Sequence, residues 1–365
     1  MRRTPALIVG GGPAGAIAAL LLARAGAPHL LIERQAQTGD VLCGGFLSWR
    51  TLAVLARLGI EGDALGARSV TQVALFAGTR RAIVALPHAA AAVSRHRLDT
   101  LLLDHAARAG ARIERGIGAR ATIDGGIRLD DGSEITADAL FLATGKHDLR
   151  GAARPVPARD TDRVLGLRTR LGPAPALDRL IGDRIELHLF DRGYAGIVLL
   201  EDGTANCCLA VHRSRLGAGS PAALLDRLAI ENPALGERLA WRGAAPIDAV
   251  ANIPYGWRAT RGLPGLFRLG DQAAVIPSLA GEGIGIAIAG AAAATQAYLR
   301  DGHDASGAWQ PGFARHIAGA MRVAGGVRRL AESPVTAPPL VIAAATCPWL
   351  VRLVARLTRV GSIPM

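Results

Sequence analysis

The stretch Ala6-Leu7-Ile8-Val9-Gly10-Gly11-Gly12-Pro13-Ala14-Gly15 decides how this chain is read. Four apolar residues make a short strand, the glycines break it, and an alanine- and leucine-rich helix follows to about Ala25. In Gly10-x-Gly12-x-x-Gly15 the first glycine permits a tight turn and the second lets the backbone approach a pyrophosphate. The third lets the helix pack closely on the strand. Backbone N–H groups at the helix start, with Pro13 and Ala14 beside them, then face the phosphates, where the helix dipole also favours negative charge. A second apolar strand, His29 to Ile32, ends in Glu33 and Arg34. A carboxylate there accepts hydrogen bonds from the adenosine ribose hydroxyls. Strand, fingerprint, helix, strand and acid thus stand in the order of a dinucleotide site.

Working outward, Leu52, Leu55 and Leu58 at helical spacing predict a helix capped by Ser48. Arg97 to Ala109 predicts another, and Arg112 to Ile117 and Ala139 to Ala143 read as further strands of the nucleotide domain. Between about Pro155 and Pro254 the grammar changes to strands joined by turns, Ile185 to Phe190, Ile197 to Leu200 and Asn206 to Val211, which reads as an inserted antiparallel sheet. Strand-turn-helix order returns at Leu266 to Ala294. A helical portion broken by Pro334, Pro338, Pro339 and Pro348 closes the chain.

Composition narrows the function classes. Half of the 365 residues are hydrophobic and the mean hydropathy is +0.27, enough for a large core. The net charge of +12 rests almost wholly on arginine, since Lys146 is the only lysine. Those arginines are scattered and only 4% of residues are aromatic, so nucleic-acid binding is not expected. Cys43, Cys207, Cys208 and Cys347 have neither metal-ligand spacing nor the density of a disulfide scaffold, and the histidines form no ligand set; free thiols and no metal are expected. The basic start is followed by a glycine turn rather than a secretory core, so the cytoplasm is the default location.

A second motif separates the possible dinucleotides. Arg268-Leu269-Gly270-Asp271 runs into Pro277-Ser278-Leu279-Ala280-Gly281-Glu282-Gly283-Ile284-Gly285 and an alanine-rich helix. Here the chain resembles the para-hydroxybenzoate-hydroxylase-fold flavoproteins, most closely their geranylgeranyl-reductase-like branch. The resemblance implies FAD, with Asp271 on the ribityl chain and Gly281, Gly283 and Ile284 along the pyrimidine edge of the isoalloxazine. A helix start aimed at that edge stabilises the anion formed on reduction. The resemblance extends to Ser94-Arg95-His96-Arg97-Leu98-Asp99, which implies Arg95 near the ribose and phosphates, unless it is a surface arginine capping a helix. It also covers Ala119, whose backbone would meet the adenine, and Thr144 and Gly145, which resemble the turn that closes over the dinucleotide.

The implied fold is α/β: a Rossmann-type FAD-binding domain interleaved with a mainly antiparallel β-sheet substrate domain, with a helical C-terminal portion. Residues 1–75, 95–155 and 255–330 are assigned to the first, 76–94 and 156–254 to the second, and 331–365 to the extension. Departures from the family pattern bear on activity. The reductases' aromatic-x-Trp-x-Phe-Pro stretch is Tyr194-Ala195-Gly196-Ile197-Val198-Leu199 here, and the hydroxylases' Asp-Gly element is Gly145-Lys146-His147-Asp148. NAD(P)H is therefore left as a transient electron donor only.

Cys43-Gly44-Gly45-Phe46 does resemble the reductase branch, so Cys43 reads as a flavin-pocket residue or as a small residue filling a tight loop. Cys43, Lys146 and Pro277 are the pocket candidates for catalysis; His188 and His212 on the substrate sheet are further acid or base candidates. The leading expectation is a monooxygenase that hydroxylates or oxidises an apolar phenolic, polyketide or isoprenoid molecule through a flavin hydroperoxide. Its alternatives are a flavin-dependent C=C reductase and a non-catalytic flavin-binding redox protein. After Pro348, Trp349, Leu350, Leu353, Val354 and Leu357 alternate with Arg352, Arg356 and Arg359. That pattern is expected to pack on the nucleotide domain, with weak peripheral membrane contact as the functional alternative.

Overall fold

The computed structural model describes residues 2–155 and 162–360. Its first sheet has seven strands: β1 (Arg2–Val9), β2 (His29–Glu33), β6 (Ile113–Arg115), β7 (Ala119–Ile123), β8 (Gly126–Leu129), β9 (Glu134–Leu142) and β15 (Leu266–Arg268), in the order β6-β2-β1-β9-β8-β7 with β15 also on β9. β1, β2, β6, β9 and β15 run parallel, as expected where crossover helices cover a sheet. Alternate residues of β1 serve different layers. Ala6 and Ile8 pack with the helices Pro13–Arg24, Arg95–Arg108 and Gly283–Asp301, whereas Leu7 and Val9 pack under the β7–β8 hairpin.

The second sheet contains eight strands: β3 (Phe46–Leu47), β4 (Arg68–Ala77), β5 (Arg80–Ala92), β10 (Val164–Leu171), β11 (Arg184–Phe190), β12 (Gly193–Leu199), β13 (Ala205–His212) and β14 (Asp248–Ile253), in the order β14-β10-β13-β12-β11-β4-β5-β3. All pairs are antiparallel except β4 with β11. One face packs on the helices Pro175–Ile181, Pro221–Glu231 and Pro233–Leu239, and the other meets the helix Ala337–Thr346.

Two expectations change. The sequence places 68–75 with the nucleotide domain, yet β4 pairs with β5 from Arg68↔Ala92 onward and with β11 from Gln72↔Arg184, so its ladder commits the whole strand to the second sheet. The C-terminal helices cover that sheet rather than the nucleotide domain, because Val341 and Ala344 fit among Val73, Leu75 and Tyr194. Ser48 caps its helix as expected and Ser94 caps the helix Arg95–Arg108, each accepting from the amide three residues on. No single helix among the described residues is long and apolar enough to cross a membrane.

Candidate flavin site

The β1 turn is built for close approach. Gly10 has φ +108° and its N–H reaches Ile32 O at 2.9 Å, while a Cβ on Gly15 would lie 1.8 Å from Gly10 O. Neither can carry a side chain. Gly12 differs: its φ is −70° and a Cβ there would meet only the Arg95 guanidinium, at 3.2 Å. The helix beginning at Pro13 has no side-chain cap and no acid in its first turn, so its free amides face an open cradle beneath a cation. That cradle fits a pyrophosphate.

Arg95 is held rather than free. It chelates Asp99 through Nε (2.8 Å) and Nη2 (2.6 Å), and its backbone N donates to Asp40 Oδ1 at 3.1 Å. Asp40 is bound in turn by Arg168 (2.9 Å) and Arg170, which joins the Arg95 helix start to β10 of the second sheet. Glu33 stands at the end of β2, where its two oxygens accept from Gly11 N (2.6 Å) and Gln35 N (2.9 Å). A carboxylate has lone pairs left for ribose hydroxyls. Arg34 turns to His147 (2.7 Å), and Ala119 opens β7 just after Ile117, whose amide reaches Glu33 O at 3.0 Å. Glu33, Arg34 and His147 thus gather beyond the carboxyl ends of β2 and β9.

The turn after β9 closes the middle. Gly145 has φ +62°, and Thr144 Oγ1 donates to His147 O at 2.6 Å. Lys146 Nζ lies 3.5 Å from Asp271 Oδ2 and 3.5 Å from Leu42 O; the Asp271 charge raises the lysine's pKa and keeps it cationic. Two residues that the sequence reading missed weld this turn to Asp271. Arg154, almost fully buried, binds Asp148, Lys146 O and Asp271 O. Buried Gln272 donates to Gly145 O and His147 O, both at 3.0 Å. Gln272 beside the Gly-Asp pair was a signal available in the sequence; Arg154 offered none.

At the far end, Pro277 leads into Ser278, whose hydroxyl lies 2.6 Å from Tyr194 OH and 2.7 Å from Tyr255 OH; Leu279 N also donates to Tyr194 OH at 3.0 Å. Burial raises the Tyr194 pKa well above the ordinary phenol value, so this group stays protonated. Gly281 has φ +62°, where a Cβ would lie 2.8 Å from Phe46, and Gly283 and Ile284 start a helix with no capping side chain. Cys43 O accepts from Asn206 Nδ2 (2.8 Å) and Cys208 Sγ (3.0 Å), which places Cys43 between the second sheet and Arg95.

The structure does not bring His188 or His212 to this site. His188 lies with Glu186 on the opposite face of β11 from Leu189 and Tyr194, stacked on Phe76 at 4.4 Å. His212 is occupied by Glu332 at 3.3 Å. Among the described residues no group of three or more His, Cys, Asp or Glu side chains gathers as a metal set.

Comparison with known proteins agrees with this geometry. Residues 3–151 match the FAD binding domain family. The chain is 30% identical over 302 residues to menaquinone reductase from Mycobacterium tuberculosis, covering 76% of this chain and 72% of that protein. The chain belongs to the family of FAD-dependent oxidoreductases that includes this reductase. It is also 32% identical over 202 residues to the probable electron transfer flavoprotein-quinone oxidoreductase YdiS of Escherichia coli, a match over 50% of this chain that spans only 46% of that relative's length. A geranylgeranyl bacteriochlorophyll reductase-like protein from Thermoplasma acidophilum superposes with a TM-score of 0.73 at 20% identity, covering 98% of this chain and all of that one. The Pseudomonas aeruginosa protein PqsL, solved with 2-aminobenzoylacetate, superposes at 0.72 and 18% identity over 93% of this chain and all of its own. At those identities the two structures speak for the fold. The protein is an FAD-dependent oxidoreductase.

Proposed function

We propose that this protein is a reductase that saturates carbon–carbon double bonds in a long apolar, isoprenoid-type substrate. The observation that carries the reading is the buried phenol of Tyr194, hydrogen-bonded to Ser278 beside Pro277 at the loop of the second flavin motif. FAD, once reduced, supplies a hydride; saturating a double bond also needs a proton at the second carbon. Tyr194 can give it, and Ser278 and Tyr255 can replace it from the outer side. Around Tyr194, Leu75, Val73 and Leu279, closed over by Val341 and Ala344, make an apolar wall that keeps water away from the phenol. Identity with a named reductase extends over 76% of the chain, whereas the likeness to PqsL lies in the fold. This ranks reduction above the oxygenation expected from sequence.

An apolar substrate of this kind dissolves in lipid, and the tail supports a weak meeting with a lipid surface. On the helix Pro348–Leu357, Trp349 is 57% exposed and Leu353 43%, beside Arg352 and Arg356. NAD(P)H is kept as the transient electron donor, checked by its rate of bleaching the bound flavin without air. The central test is anaerobic. Holoenzyme reduced with dithionite is mixed with geranylgeranyl diphosphate, and return of the oxidised flavin spectrum with a product two hydrogens heavier is expected. A prenyl compound left unchanged without air and oxygenated once air is admitted would overturn the reading in favour of oxygenation.

A further inference from the structure

The residues that follow the helix Pro348–Leu357 reach the flavin loop, a contact that neither the fold assignment nor the proposed activity requires. Arg359 follows the helix Pro348–Leu357 and is almost wholly buried. Its Nη1 donates to Glu282 Oε2 at 2.5 Å and to Gly281 O at 3.1 Å, its Nη2 to Ala280 O at 2.6 Å, and its Nε to Ala355 O at 2.9 Å. The guanidinium lies over Phe46 and Trp49, 5.8 and 5.4 Å from the ring centres. Val360 N adds a bond of 3.1 Å to the other Glu282 oxygen. One cation thus places three donors on two successive loop carbonyls and the side chain of the residue after them.

The consequence follows from peptide geometry. Fixing the carbonyls of Ala280 and Gly281 fixes the two peptide planes that lead into Gly283, where the helix Gly283–Asp301 begins without a capping side chain. Glu282, the residue at the cap position, does not cap; its carboxylate lies beside Gly285 but is held by Arg359 and Val360, leaving the first amides of the helix without a side-chain acceptor. We propose that Arg359 is a positioning residue for FAD: it holds the Ala280–Glu282 turn so that these amides stay aimed at the pyrimidine edge of the flavin, and so ties the cofactor's affinity and potential to the docked C-terminal helix. A positive helix end stabilises the negative charge that reduction places on that edge. Loosening the clamp should therefore weaken FAD binding and make reduction harder.

The test uses full-length Arg359→Ala, Arg359→Lys and Glu282→Gln, with FAD affinity from flavin fluorescence, the flavin midpoint potential, and the melting temperature of the apoprotein. Arg359→Ala is expected to weaken FAD by about tenfold, the effect of leaving a hydrogen bond to a charged group unmade, and to move the potential to more negative values. Arg359→Lys keeps the charge but cannot span two carbonyls and a carboxylate, so it should fall between. Glu282→Gln keeps the shape but gives Arg359 a weaker, neutral partner, so it should weaken FAD in the same direction by less, and it serves if Arg359→Ala fails to fold. Unchanged affinity, or weakened affinity with the same potential in every folded variant, would overturn the proposal and leave the contact as packing.

Discussion

Gly12→Ala and Gly15→Ala separate cofactor binding from folding, although the two glycines belong to one fingerprint. At Gly12 the backbone is already in a conformation open to any residue, φ −70° and ψ −174°, and the added Cβ meets only the Arg95 guanidinium at 3.2 Å, a contact that a few tenths of an ångström of movement relieves. The apoprotein should keep its stability to within about 0.5 kcal/mol. The same methyl group stands in the cradle where a pyrophosphate oxygen must come within hydrogen-bonding distance of the amides. Losing one such charge-assisted bond costs about 1.5–3 kcal/mol, or roughly ten- to a hundredfold in affinity. At Gly15 the order reverses, because the Cβ would sit 1.8 Å from Gly10 O, and backbone cannot step aside as a side chain can. Stability should fall by about 1–3 kcal/mol or more before any cofactor is considered. Apoprotein melting and a flavin fluorescence titration read the two effects separately. A Gly12→Ala protein that folds and binds FAD as the parent does would refute the placement of the pyrophosphate.

Asp271→Ala should weaken FAD by about 1–3 kcal/mol through unpaired ribityl hydroxyls, measured in the same titration; unaltered affinity would move the second motif off the ribityl chain. Tyr194→Phe should lower kcat for double-bond reduction by about a hundredfold, the low end for a lost general acid, while leaving the anaerobic rate of flavin reduction unchanged. Thiol alkylation of the native protein should spare Cys207 and Cys208, since burial raises both thiols, the latter to about 12, and should reach Cys43 more slowly once FAD is bound. His212 carries a pH prediction. Its hydrogen bond to Glu332 raises its pKa, so the stability it contributes is full below 6.5 and is lost as pH rises through the higher folded value. His212→Gln should flatten the fall in melting temperature over that window; an unchanged slope would remove His212 from the account.

What was legible in the sequence was whatever the backbone itself demands. Gly10 and Gly15 are needed because carbonyl oxygens crowd the places where their side chains would be, and such demands leave a fixed local spacing. The Gly270-Asp271 pair and the Gly281 turn were readable through their resemblance to a known motif, and the structure holds both Gly270 and Gly281 in the left-handed region. Contacts made by long side chains across the fold leave no such trace. Arg359 meets Glu282 from the far end of the chain, and Tyr194 meets Ser278 from another domain; no local period links either pair. The face of β11 that carries His188 was equally hidden, because an alternating strand gives two faces without saying which one meets the flavin loop. The boundary at β4 was misjudged because strand pairing with β11, over a hundred residues away, decides it.

The account's central claim is that the bound FAD reduces its substrate rather than oxygenating it. The direct measurement is the mass of the product formed in a single turnover when reduced holoenzyme meets an isoprenoid alkene under isotopically heavy dioxygen. The account predicts a product that has gained two hydrogens and no heavy oxygen. A product carrying the heavy oxygen atom, with its double bonds intact, would contradict it.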